Sequence, residues 1–150
     1  MGLSQKCQYA LRALFELARR GPGMPVKIGD IAARQDIPVR FLEVILNELK
    51  QGGFAESRRG KNGGYVLARP AREITVGDII RFVEGPLHPV EEAALFTGRN
   101  PTPDTPGVVF VRVWEEAARA LASVYDRTTL KDLVDHEHHL RTGHLPDYTI

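Results

Sequence analysis

Arg58-Arg59-Gly60-Lys61-Asn62-Gly63-Gly64 places three cations in and beside a glycine-rich tip. Such a tip can approach a phosphate backbone or a narrow minor groove, with Arg59 as the leading side chain and Arg58 and Lys61 on phosphates. Upstream, Arg40 and Glu43 follow directly on Pro38-Val39. Three residues apart on a helix, they share a face, and both are types that read base edges. Arg forks onto guanine, and Glu accepts from the cytosine amino group. Val44 suits a thymine methyl or packing on the hairpin. The plain alternative for Arg40 and Glu43 is a solvated helix face, since charges at this spacing are common. Gln8 and Tyr9 are further candidates for backbone contact.

Other chemistry is sparse. His136 and His139 lie three apart in the run Asp135-His136-Glu137-His138-His139. They are weak metal candidates, because such runs near a chain end are usually solvated. Cys7 is the single cysteine, so it forms no internal disulfide and alone holds neither zinc nor an iron–sulfur cluster. It lies on an apolar stripe and reads as a small buried residue. No nucleophile elbow, phosphate loop or metal-ligand pair at a catalytic spacing is present, so an enzyme is not expected.

These residues need elements to position them. Residues 3–20 read as a helix with Leu3, Cys7, Ala10, Leu11, Leu14, Phe15 and Ala18 on one stripe, Ser4 as cap and Gly21-Pro22-Gly23 as stop. A short helix over 28–35 turns Ile31 and Ala32 inward. Asp36-Ile37-Pro38 breaks it, Asp tolerating the left-handed backbone of a tight turn and Pro suiting the first turn of the next helix. That helix runs to residue 51. It buries Phe41, Leu42, Ile45, Leu46 and Leu49, and leaves Arg40, Glu43, Val44, Asn47 and Lys50 outside. Strands over 54–58 and 65–68 flank the cationic tip, where Asn62-Gly63 is a hairpin signal. Helix, helix, turn, helix and hairpin is the winged-helix order, which suits a helix entering the major groove.

Beyond Pro70, Thr75 caps a helix over 76–84 with Val76, Ile79, Ile80 and Val83 inward. Residues 86–107 read mainly as loop, with a helical turn at 91–96. A long periodic helix over 108–126 carries Phe110, Val111, Trp114, Ala117, Ala118, Leu121, Ala122 and Tyr125. Trp114 reads as core or interface. Thr128 or Thr129 caps a last short helix bearing Leu130, Leu133 and Val134, and the tail from Arg141 frays.

The whole chain of 150 residues has a net charge of only +1. Residues 1–70 hold 12 bases against 6 acids, a balance of +6, while residues 71–150 balance at −5. A basic half joined to an acidic half fits an anion-binding unit attached to something else. No apolar run approaches the ~20 residues that span a bilayer. A cytoplasmic protein without a membrane partner is expected.

The stretches Tyr9-Ala10-Leu11-Arg12-Ala13-Leu14, Phe41-Leu42-Glu43-Val44-Ile45-Leu46, Arg59-Gly60-Lys61-Asn62-Gly63-Gly64-Tyr65-Val66-Leu67, Ile74-Thr75-Val76-Gly77-Asp78 and Glu84-Gly85-Pro86-Leu87 resemble the IscR/NsrR/CymR family of winged-helix bacterial transcription regulators, the Rrf-type repressors. The resemblance spans about residues 1–135 and includes Trp114 and Thr129-Leu130-Lys131-Asp132-Leu133. It implies a mainly α fold with a small β-hairpin wing: a winged helix-turn-helix domain over 1–84, a sensor-type loop over 85–107, a dimerisation helix and short C-terminal helix over 108–141, and a flexible tail over 142–150. It also implies a homodimer held by the long helix through Phe110, Val111, Trp114, Ala118, Leu121 and Tyr125. The dimer sits on a pseudo-palindrome of double-stranded DNA and controls transcription.

Iron–sulfur members carry three cysteines in the loop after Glu84-Gly85-Pro86-Leu87. This chain has none there, so no cluster or other cofactor is expected. His88, Glu91, Glu92 and Asp104 are the remaining ligand types, without recognisable spacing. The signal then comes from an effector protein or a small molecule. A winged-helix module that binds a partner protein is the second reading, and the +6 balance speaks against it.

Overall fold

The protein is described by a computed structural model covering residues 2–89 and 100–143. The turn expected at 91–96, and Glu91 and Glu92, lie outside the described residues. Helix α1 (Gln5–Arg20) begins where Ser4 Oγ accepts the Cys7 N–H at 3.1 Å. It is the central helix of the winged-helix unit (the reader, residues 1–84), touching that unit's next two helices, the second wing strand and two later helices. This explains why it buries more than one stripe: Ala13 and Leu17 join Cys7, Ala10 and Leu14 inside, while Leu11, Phe15 and Ala18 are only half-buried.

Helix α2 (Ile28–Gln35) ends at Asp36, whose φ of 52° and ψ of 54° are left-handed. An aspartate tolerates that backbone where a β-branched residue would not. Ile37 then plugs the core, and Pro38 caps helix α3 (Val39–Gln51) from just outside its first turn. The α2–α3 connection is therefore three residues long. Leu42, Ile45, Leu46 and Leu49 bury the inner face of α3.

Strands β1 (Ala55–Arg58) and β2 (Gly64–Leu67) pair antiparallel, with Glu56 opposite Val66 and Arg58 opposite Gly64. Asn62-Gly63 does not form a two-residue turn. It closes a four-residue turn in which the Gly63 N–H donates to the Gly60 carbonyl at 3.0 Å. Val26 adds a one-residue bridge to β2 that the sequence pattern had not shown, exchanging hydrogen bonds of 2.9 and 2.8 Å with Tyr65. The adjacent Gly64 is needed there: its φ is 149°, and a Cβ would stand 2.5 Å from the Val26 carbonyl oxygen.

Helix α4 (Val76–Glu84) starts in a capping box between Thr75 and Asp78. Further along, a 3-10 turn (Val108–Phe110) leads into helix α5 (Val111–Asp126). Asp126 accepts two hydrogen bonds from Arg81 of α4, at 2.6 and 2.8 Å. Helix α6 (Leu130–Arg141) opens with a second capping box, Thr129 with Asp132, and folds back on α1. Leu130 is wholly buried in the reader's core, and its N–H donates to the Ile74 carbonyl at 2.9 Å. No described helix is long and apolar enough to cross a membrane.

Candidate nucleic-acid interface

The outer face of α3 follows from its inner one. With Leu42 pointing inward, a helix of 3.6 residues per turn sends Arg40, Val44 and Asn47 outward and Glu43 to one flank. Pro38, Val39, Arg40, Glu43 and Val44 are all exposed. Phe41, expected on the buried face, is exposed as well. It lies about 100° around the helix from Leu42, on a flank that the elements packed on α3 do not cover. Its ring instead faces the guanidinium of Arg40, whose Cζ is 4.7 Å from the ring centroid.

The wing places its cations in water. Arg58, Arg59 and Lys61 are exposed, and the turn between them holds Gly60 at a φ of 101°. Arg58 pairs with Glu56 at 3.2 Å, but both side chains are about half exposed, so that pair is weak and readily exchanged for a phosphate. Among the described residues, Arg40, Arg59 and Lys61 have no carboxylate within ion-pair distance. Gln8 is exposed, its amide spent on the Leu3 carbonyl at 3.0 Å, and Tyr9 is half-buried beneath Arg12.

A buried carboxylate that pattern reading missed ties α1 to the end of α2. Glu16 of α1 is 2% exposed. It accepts from Gln35 Nε2 at 2.8 Å and from Arg19 at 3.3 and 3.4 Å, and it lies 3.5 Å from Arg34. Gln35 and Arg34 are the last two residues of α2, beside the turn into α3. Arg19 also reaches Glu137 of α6 at 3.1 Å. A single hydrophilic residue inside an apolar helix face would have been the only sequence signal.

Helix α5 has no buried residue. The apolar stripe read from its sequence divides in two. Val111, Trp114, Ala118 and Tyr125 are half-buried, while Phe110 and Leu121 are exposed. Val113 and Val124, which the stripe omitted, are 53% and 46% exposed and extend that outer apolar face. Phe110 stacks on Trp114 with ring centroids 6.0 Å apart. An open cleft of about 520 Å3 lies between α4 and α5, lined by Arg81, Leu87, His88, Ala118, Arg119 and Ala122.

The thiol of Cys7 is buried in α1, and burial, together with the neighbouring Glu84 carboxylate, pushes it up to about 11. It stays protonated and is a poor ligand or nucleophile. His136 and His139 are exposed on α6. Among the described residues, no group of three or more His, Cys, Asp or Glu is arranged to hold a metal ion.

A profile of the Rrf2 family, described as "Iron-dependent Transcriptional regulator", matches residues 3–136. The chain is 37% identical to protein rrf2 of Nitratidesulfovibrio vulgaris over 135 residues, covering 89% of this chain and 87% of that protein. It is 34% identical to the HTH-type transcriptional regulator CymR of Bacillus subtilis over 136 residues, 91% of each. Among solved structures, B. subtilis CymR, titled the global cysteine regulator, superposes with a TM-score of 0.75 at 32% identity, covering 91% of this chain and 98% of that one. The T. potens IscR structure gives 0.74 at 33% identity, covering 91% and 88%.

Proposed function

The chain belongs to the Rrf2 family of transcriptional regulators, and on that premise we propose that it is a cytoplasmic, homodimeric repressor seated on a pseudo-palindromic operator. The observation that carries this reading is three exposed cations with no carboxylate within ion-pair distance among the described residues: Arg40 on the outer face of α3, and Arg59 and Lys61 on the wing tip. Arg40 and Glu43 read base edges with Val39 and Val44 against them, and Pro38 lets the helix tip approach the groove. Arg59 enters the flanking minor groove, and Arg58 and Lys61 hold phosphates.

Two copies meet through α5. Its exposed Phe110, Val113, Leu121 and Val124 form an apolar face that one copy leaves in water. Dimer symmetry then accounts for the operator symmetry, since each protomer supplies one helix to one half-site.

The regulator works without an iron–sulfur cluster. A cluster is held by thiolates, the chain's only thiol is Cys7, and burial in α1 keeps it protonated. The residues present do not fit the group, so the iron dependence in the family's description is not carried over. Input from an effector enters at the cleft between α4 and α5, where a bound molecule would touch both the reader's last helix and the dimer helix.

The test is a fluorescence anisotropy titration against the DNA upstream of the protein's own gene, at several salt concentrations. About six phosphate contacts give a log–log salt slope near −5. Arg59→Ala should weaken binding to all sequences and lower the slope by about 1 per wing. Weak, salt-independent binding, or full affinity in the Arg59 variant, would overturn the assignment.

A further inference from the structure

Phe41 is a core-type residue that the structure leaves in water, 44% exposed on the first turn of α3. One turn on, Val44 is 57% exposed. The guanidinium of Arg40 lies over the Phe41 ring, its Cζ 4.7 Å from the centroid. This turn therefore offers two chemistries side by side: a planar N–H fork and an apolar patch.

Stacking on an aromatic ring favours a guanidinium electrostatically and removes torsional freedom from its stem. The fork of Arg40 is thus held ready before any partner arrives. A planar fork matches guanine O6 and N7, and the apolar group displayed in the major groove is the thymine C5-methyl. In B-form DNA, the methyl of a thymine on the 5′ side of a guanine lies beside that guanine's O6/N7 edge. A fork on the guanine brings its apolar neighbours onto that methyl.

We propose that the first turn of α3 reads a thymine immediately 5′ of a guanine. Arg40 takes the guanine edge, and Phe41 and Val44 receive the thymine methyl. Phe41 also acts as a positioning residue for Arg40. This rests on the reading that α3 enters a major groove, and it adds the base step that helix selects.

The experiment uses the full-length protein and the operator duplex defined by footprinting upstream of its own gene. Each thymine is replaced in turn by deoxyuridine, which removes only the methyl. Each guanine is replaced in turn by 7-deazaguanine, which removes only N7. One deoxyuridine, 5′ of a 7-deaza-sensitive guanine, should weaken binding about fourfold, the worth of one buried methyl. In Phe41→Ala and in Val44→Ala that thymine-to-uracil ratio should fall toward one. Both side chains are exposed, so both variants should melt as the parent does.

If guanine sensitivity is found and no deoxyuridine changes the affinity, the inference is wrong and the DNA reading stands. The same holds if the ratio persists in both variants. If no footprint forms and no guanine matters, α3 is not a base reader and both fall. In that case the exposed Phe41 belongs to a protein contact.

Discussion

Replacing Glu16 by alanine tests whether a buried carboxylate sets the reader's geometry. Its strongest partner is the Gln35 amide at 2.8 Å, and Arg19 follows at 3.3 Å. A hydrogen bond to a charged group contributes about 1.5–3 kcal/mol. Arg34, at 3.5 Å and nearly half exposed, adds little. Alanine would leave the Gln35 amide without an acceptor, whereas Arg19 keeps Glu137 at 3.1 Å. The expected loss is about 3 kcal/mol, at the low end for breaking a buried pair. Against a total of roughly 5–15 kcal/mol, that is a large fraction. The melting temperature should fall by about 6–12 °C, read by circular dichroism alongside urea denaturation. Glu16→Gln keeps an acceptor for Gln35 and should cost about half as much. DNA affinity measured far below the melting point should also drop in the alanine variant, because Gln35 ends α2 beside the turn into α3. A loss of stability below about 1 kcal/mol, with unchanged affinity, would refute the argument that Glu16 organises the turn.

Two further outcomes follow from α5 and α6. Val124→Glu puts a charge on the exposed apolar face of α5 and should shift the protein to monomer in analytical ultracentrifugation. Its DNA affinity should fall on the order of a hundredfold as two half-sites are bound independently, while Arg112→Gln, on the polar side of α5, should change neither. Thr129→Ala removes the cap of α6 and should cost about 1 kcal/mol, or about 3 °C. The Asp132 carboxyl is held below its ordinary range by the Thr129 backbone N–H, and Asp126 is held low by its hydrogen bonds from Arg81. A depressed carboxylate stabilises the fold above the unfolded value near ~4 and loses that contribution as pH falls through the folded one. The stability of the α4–α5–α6 region should therefore decline below about pH 4, and the Thr129→Ala difference should narrow there.

The reader was legible because its signals were local. Ser4 and Thr75 cap where their side chains suggested, Asp36 takes the left-handed turn, and the apolar spacing of Leu42, Ile45, Leu46 and Leu49 defines the inner face of α3. The misses were tertiary. Phe41 has the periodicity of a core residue, but whether a flank is covered depends on which neighbours reach it. Val26 pairs with Tyr65 across 39 positions of sequence, and a single residue contributing one rung has no strand pattern to detect. Glu16 is polar, and composition alone sends polar residues outward. Its burial is possible only because α2 delivers Gln35 and Arg34 from another element. The candidate DNA-contacting residues of α3 and the wing were named from residue type, helical face and the glycine-rich tip, and all of them are exposed. The structure adds that Arg40, Arg59 and Lys61 stand free of carboxylates among the described residues.

The charge asymmetry takes on a different meaning once α6 is seen folded back on α1. The basic and acidic halves are not independent bodies. Arg19 of the reader bridges Glu16 beneath the helix-turn-helix and Glu137 on α6, and Arg141 reaches the same Glu137 at 2.8 Å. Thr128 and Ile74 bind α6 and α4 together through backbone hydrogen bonds at 2.8 and 2.9 Å. Among the described residues, one ion pair joins the two halves, Arg19 with Glu137, and the other ion pairs of the C-terminal half are internal to it. Arg40 on α3 and Arg59 and Lys61 on the wing tip are among the cations with no carboxylate within ion-pair distance among the described residues. A net charge near zero is thus compatible with exposed cations on α3 and the wing tip, because net charge does not report where the charges lie. The same arrangement links the end of α5 to the turn that positions α3: any displacement of α6 must break either Leu130's burial or the Glu137–Arg19–Glu16–Gln35 chain.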